Sequence, residues 1–125
     1  MEVRFTGREL DIMKVLWTRG PATVAEVREA LDDDLAHTTV LTMLKVMEGK
    51  RFVSRRPDGR AHVYAAEVER SVAGDSALTR LMERLFGGSP EELFMHLVDS
   101  GLSEEELRRM RDLLDERLRG KESER

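Results

Sequence analysis

The stretch 37-HTTVLTMLKVMEGKRFVSRRPDGRAHVYA-65 changes its hydrophobic period half-way along, and that change decides the fold. As far as Met47, the apolar residues Val40, Met43, Leu44 and Met47 recur at helical spacing. From Phe52 onward the pattern is that of strands. Phe52–Arg56 and Ala61–Ala65 are short extended runs joined by Pro57-Asp58-Gly59-Arg60. Proline pre-sets one turn dihedral and glycine supplies a positive one, so the pair of runs reads as a hairpin. The segment predicts a helix starting near His37–Thr39, followed by a two-stranded ribbon.

Two helices are predicted upstream. Thr6-Gly7-Arg8-Glu9 is a capping box, in which the threonine hydroxyl takes an orphan amide and the glutamate reaches back. Leu10, Ile12, Met13, Leu16 and Trp17 follow at helical spacing, and Gly20-Pro21 stops the helix. Thr23-Val24-Ala25-Glu26 is a second capping box, with Val24, Val27 and Leu31 facing inward. The acid run Asp32-Asp33-Asp34 is unfavourable at a helix C-terminus and better marks the turn into the next helix. Trp17 and Tyr64 read as core residues. The order helix, helix, helix, strand, strand is that of a winged helix-turn-helix.

Downstream the chain is helical again. Val72, Ala77, Leu78, Leu81, Met82, Leu85 and Phe86 mark a helix from about Glu67 to Phe86, broken by Gly87-Gly88. Ser89-Pro90 opens a short helix as N-cap and first residue. Ser103-Glu104-Glu105-Glu106 is a third capping box and opens the last helix, whose charged end, Gly120 to Arg125, is expected to fray. The predicted fold is mostly α with a small β-hairpin: a winged-helix domain, 1–66, and a helical domain, 67–125. Three short helices cannot hide all the apolar positions of the second half. Leu78, Leu81, Leu85, Phe86, Leu93, Phe94 and Leu97, with Leu107, Met110, Leu114 and Leu118 of the last helix, are expected to form a homodimer interface. Packing back onto the first half is the alternative.

The 125 residues carry a net charge of −4, which on its face opposes nucleic acid. The distribution matters more than the sum. Residues 1–66 hold 11 Lys/Arg against 10 Asp/Glu, and residues 67–125 hold 10 against 15. The acidity therefore belongs to the second half. Lys45, Lys50, Arg51, Arg55, Arg56 and Arg60 form a basic stripe interrupted only by Glu48 and Asp58. The absence of cysteine excludes disulfides and thiolate metal sites and agrees with a cytoplasmic location. No apolar run is long enough to span a membrane, and the N-terminus has no signal-type stretch, so no membrane insertion is expected.

The third helix is the candidate reader of double-stranded DNA. Its polar face offers His37, Thr38, Thr39, Thr42 and Lys45. Hydroxyls and amides near a helix start hold phosphates, and threonine methyls and hydroxyls touch base edges in the major groove. Lys50, Arg55, Arg56 and Arg60 are placed to meet phosphates. Each feature alone also fits a duller role: capping threonines, a solvated face, or an edge strand protected by charge. Catalytic constellations are absent. His37, His62 and His96 lie far apart along the chain, no phosphate-binding glycine loop precedes a helix, and the glutamate runs suit helix N-termini. His96, beside Phe94, Leu97 and Val98, reads as a buried or interface histidine. No cofactor, metal or enzymatic activity is expected. A protein–protein adaptor without DNA binding is the alternative function.

Five segments resemble the penicillinase-repressor (BlaI/MecI/CopY) family in the right order. They are Glu9–Trp17, Ala22–Val27, Thr38–Leu44, Gly59–Tyr64 and Leu85–Ser89. The resemblance implies a dimeric transcriptional repressor on a palindromic operator, relieved by proteolysis or another signal from a membrane-bound sensor metalloprotease. It carries Thr38, Thr39 and Thr42 onto recognition-helix positions and Arg60 onto the wing; at His37 the family residue varies. Three positions depart from the pattern. Arg51 stands where a glycine with positive φ is usual, Val46 where a basic residue is usual, and Ala36 where a serine N-cap is common. Without cysteine, the copper-thiolate switch of one branch is excluded.

Overall fold

The computed structural model describes residues 3–124. Their order is α1 (Gly7–Arg19), β1 (Ala22–Thr23), α2 (Val24–Ala30), α3 (His37–Gly49), β2 (Val53–Asp58), β3 (Ala61–Ala66), α4 (Arg70–Leu85), α5 (Pro90–Val98) and α6 (Glu104–Ser123). All three predicted capping boxes form, at Thr6/Glu9, Thr23/Glu26 and Ser103/Glu106. Ser89 caps α5, with Pro90 in its first turn. The expected fold class, mostly helical with a small sheet, is what the chain adopts.

The core gathers Ile12, Met13 and Leu16 from α1, Val27 from α2, Val40, Leu44 and Met47 from α3, and Tyr64 from β3. Leu10, one of the apolar residues at helical spacing in α1, is exposed. Trp17 is half-buried and its indole N–H donates to the Val68 carbonyl at 2.8 Å. Phe5 bridges Trp17 and Phe52 edge-on, with ring centroids 6.1 and 4.6 Å away. The turn between α2 and α3 is tied from both sides: Arg28 Nε donates to the Leu35 carbonyl at 2.7 Å, and Arg8 pairs with Asp33 of the acid run.

The sheet is antiparallel, in the order β1-β3-β2. The two residues of β1, too few to carry a period, were not foreseen; Ala22 pairs with Tyr64 and Thr23 with Val63. The hairpin turn is tighter than predicted. Asp58 faces Ala61, so Pro57 and Asp58 belong to β2 and only Gly59-Arg60 turn. Proline is tolerated because β2 is an edge strand. Gly59, with φ of 64°, supplies the positive dihedral that a two-residue hairpin of this kind needs at its first central position.

The C-terminus of α3 answers a question raised by the sequence. The Phe52 N–H donates to the Met47 carbonyl and the Arg51 N–H to the Glu48 carbonyl, both at 3.0 Å. These are the paired bonds of a Schellman motif, with its apolar contact supplied by Met47 and Phe52 in the core. The motif needs a left-handed residue, and Arg51 adopts it with φ of 67°. The helix end therefore keeps the glycine-type shape without the glycine.

The chain divides into two compact units between Leu78 and Thr79, inside α4. The first unit takes in the start of α4, where Ala73 is buried and Ser76 Oγ donates to the Val3 carbonyl at 3.0 Å. In the second unit, α5 and α6 bury no residue. α6 runs past Gly120, where fraying was expected, to Ser123.

Relieving the left-handed strain should stabilise the fold. Arg51→Gly is expected to raise unfolding stability by about 1 kcal/mol, read from the urea midpoint at constant slope. An unchanged or lower midpoint would count against a strained Arg51.

Candidate nucleic-acid interface

The seating of α3 fixes what it offers outward. Val40, Leu44 and Met47 are fully buried, which turns Thr38, Thr39, Thr42 and Lys45 to solvent. Thr38, Thr42 and Lys45, spaced by four and three residues, lie along one line of the helix. Thr42 Oγ1 donates to the Thr38 carbonyl at 2.8 Å, leaving its methyl and its acceptor lone pairs for other contacts. His37 is exposed in the first turn. Ala36 is the N-cap and provides no side-chain hydrogen bond, so no side chain covers the first amides of this helix. Thr38 and Thr39 lie inside the helix and do not cap it. Val46, where a basic residue was wanted, is half-exposed.

The cations divide by whether a carboxylate already holds them. Lys50, expected to meet phosphate, places Nζ 2.7 Å from Oε2 of the buried Glu9 and lies 5.8 Å from the Phe52 ring centroid. Its amine is paired with that carboxylate, while the side chain stays 45% exposed. Burial works against the Glu9 charge, but the Lys50 ammonium and the Thr6 amide outweigh it and hold the carboxyl below its usual range. Arg55 is held more loosely, with Nε 3.6 Å from Glu48 Oε2. Among the described residues, Lys45, Arg56 and Arg60 make no ion pair.

Strand register sorts the hairpin into two faces. Arg55 lies opposite Tyr64 and Pro57 opposite His62, so Arg55, Tyr64 and His62 share the face turned towards α3; Arg56 and Val63 lie on the other. Between that face and α3 is a cleft of about 450 Å³. α3 lines it with His37, Leu41 and Lys45; Thr23 of β1 and Val24 and Ala25 at the start of α2 add to it. Arg55, Arg60, Ala61, His62 and Tyr64 complete it. His37 and His62, far apart in sequence, thus line one cleft. Sequence reasoning had no period or motif with which to pair them.

The residues assigned to a dimer interface lie on α4, α5 and α6 and on the break after α4. Leu78, Leu81, Leu85, Phe94, Leu97, Leu107, Leu114 and Leu118 are exposed; Phe86, Leu93 and Met110 are half-buried. Met95 and Leu113, not singled out from the sequence, are as exposed as Leu118. His96, expected to be buried or at an interface, is exposed in the single chain, its ring 4.9 Å from that of Phe86. Among the described residues, no group of three side chains could hold a metal and no helix is long and apolar enough to cross a membrane.

A polar-faced third helix beside a basic hairpin, on a three-helix core, defines a winged helix-turn-helix of the DNA-binding type. The family model described as penicillinase repressor matches residues 5–116. The transcriptional regulator BlaI of Mycobacterium tuberculosis is 38% identical over 96 residues, which cover 73% of this chain and 69% of that protein. The chain belongs to the penicillinase-repressor family of transcriptional regulators. Of solved structures, the transcriptional regulator Tm0710 from Thermotoga maritima is 26% identical with a TM-score of 0.51, covering 95% of this chain and 77% of that one. A mutant MarR from E. coli, complexed with operator DNA, shares the fold at 14% identity, with a TM-score of 0.53 over 91% of this chain and 76% of that one.

The Glu9–Lys50 pair makes a pH-dependent prediction. Because the folded carboxyl titrates below its ordinary value of 4.5, the pair stabilises fully above that pH and loses its effect as pH falls through the folded value. Lys50→Ala is expected to cost about 1 kcal/mol at neutral pH. The gap to the parent protein should close on acidification; a gap of constant size from pH 7 to pH 3 would refute the pairing.

Proposed function

We propose that the protein is a cytoplasmic homodimer that represses transcription by placing two copies of α3 in successive major grooves of a near-palindromic operator. Residues 1–66 carry the DNA-binding role and residues 67–125 the dimerising one. The observation that carries the reading is the exposed line Thr38–Thr42–Lys45 on a helix whose opposite face is locked into the core. His37, Thr38, Thr39 and Thr42 meet base edges and nearby phosphates. Lys45, Arg56 and Arg60 neutralise phosphates, joined by Arg55 when it leaves Glu48. Lys50, whose amine is paired with Glu9, joins them only when it leaves that carboxylate.

Dimerisation is supported by the apolar residues that α4, α5 and α6 leave exposed in one chain. A two-fold axis would set the reading helices roughly 34 Å apart, one turn of duplex. Repression is relieved, on this reading, by proteolysis within the helical half or by another signal from a membrane-bound sensor metalloprotease; family membership supports this step.

Duplex binding to the protein's own promoter region, measured across salt concentrations, tests the proposal. Each phosphate contact contributes about 0.9 to the slope of log K against log salt. Arg60→Ala is therefore expected to lower the slope by about 1.8 for the two-fold complex. Thr42→Ala should instead change preference at one or two positions of each half-site. Binding to a protein partner with no salt-sensitive duplex binding would favour an adaptor. For assembly, sedimentation should give a dimer that Leu114→Glu converts to monomer; a parent protein that is monomeric at micromolar concentration would exclude the two-fold arrangement.

A further inference from the structure

The cleft between α3 and the hairpin has a chemistry that phosphate binding alone does not explain. We infer that it is a binding site for a small organic anion with a flat apolar body, a carboxylate of the aromatic type, and that an occupied cleft excludes DNA from α3. The exclusion rests on the DNA reading above; the site itself does not.

Its size, about 450 Å³, falls in the range of small-molecule sites. The lining is two-sided. Ala25, Leu41 and Ala61 supply apolar surface, while Lys45, Arg55 and Arg60 supply positive charge. Lys45 and Arg60 make no ion pair among the described residues, and Arg55 is held only at 3.6 Å. Tyr64 is fully buried and its hydroxyl has no hydrogen-bond partner. That hydroxyl is itself closed to solvent, so the charged groups open to a ligand here are the three cations. A backbone phosphodiester would satisfy the cations but bring nothing to cover the apolar surface. A carboxylate on an aromatic body would do both, with Arg55 or Arg60 offering a planar fork to its two oxygens. The cleft borders His37 and Lys45, both in the proposed DNA surface, so a ligand there and a duplex compete for the same groups.

The test uses the full chain with naphthalene-2-carboxylate, its uncharged carboxamide and inorganic phosphate as probes, followed by amide chemical shifts. The expected result is saturable binding of the acid, with shifts at Leu41, Ala61 and Tyr64, and binding of the carboxamide about tenfold weaker. Lys45→Ala combined with Arg60→Ala should weaken the acid by a similar factor while the remaining spectrum stays folded. Equal binding of acid and carboxamide, shifts confined to other regions, or phosphate matching the acid in affinity and pattern would each overturn the site. With a bound duplex, the acid is expected to release it; simultaneous binding would overturn the exclusion. A protein that binds the acid in the cleft but never binds duplex would refute the DNA reading and leave the site standing.

Discussion

The seat of α3 on the core is the constraint on which everything else rests. Both ends of this helix are poorly made. Ala36 gives no side-chain cap, a loss of about 1 kcal/mol. Arg51 holds a left-handed conformation at a further cost of about 1 kcal/mol. Against that, Val40, Leu44 and Met47 are each fully buried and contribute about 1.5–3 kcal/mol apiece. Burial wins by a wide margin, so the helix is held by its side and not by its ends. A helix fixed in this way has its rotation set, and rotation determines which residues can reach a groove. The uncapped first turn is then compatible with function, since amides that no side chain has taken remain able to meet an anion.

Charge follows a similar division between structure and surface. The first half is nearly neutral, yet its cations are not equivalent. Glu9, already committed to capping α1, takes Lys50 and so binds the end of α3 to the start of α1. Glu48 takes Arg55 weakly. Of the basic stripe, Lys45, Arg51, Arg56 and Arg60 make no ion pair among the described residues. These unpaired cations make a local field that the net charge of −4 does not reveal, because at physiological salt charges farther off than about 8 Å are largely screened.

Much of this was legible in the sequence because it is local. Capping boxes, the helical stripes and the switch from a helical to an extended period are written within a few residues, and each is present. The winged-helix order followed from them. What escaped the sequence depends on contacts between distant segments. β1 is two residues long and exists only because Tyr64 and Val63 lie beside it. Lys50 looks like any other surface cation until Glu9, forty-one residues away, is placed next to it. His37 and His62 meet at a cleft for which no motif exists. Pro57 was read as a turn residue because proline usually is; its place in β2 depends on that strand being at the sheet's edge.

The helical half raises a different question, one of thermodynamic coupling. α5 has nine residues and α6 twenty, and neither buries a side chain in the single chain. Helices of such lengths are marginal or only modestly stable alone in water, and their stability ordinarily comes from packing an apolar face. Leu85, Leu114 and Leu118 stay exposed here, and in the proposed dimer a second copy supplies that packing. If the proposed dimer forms through these faces, folding of the second unit and assembly become one equilibrium. In the proposed dimer, a single cut in this unit would remove both at once. On that proposal each winged helix would then meet one half-site singly, where losing the linked second contact lowers the affinity far more than any one phosphate contact does.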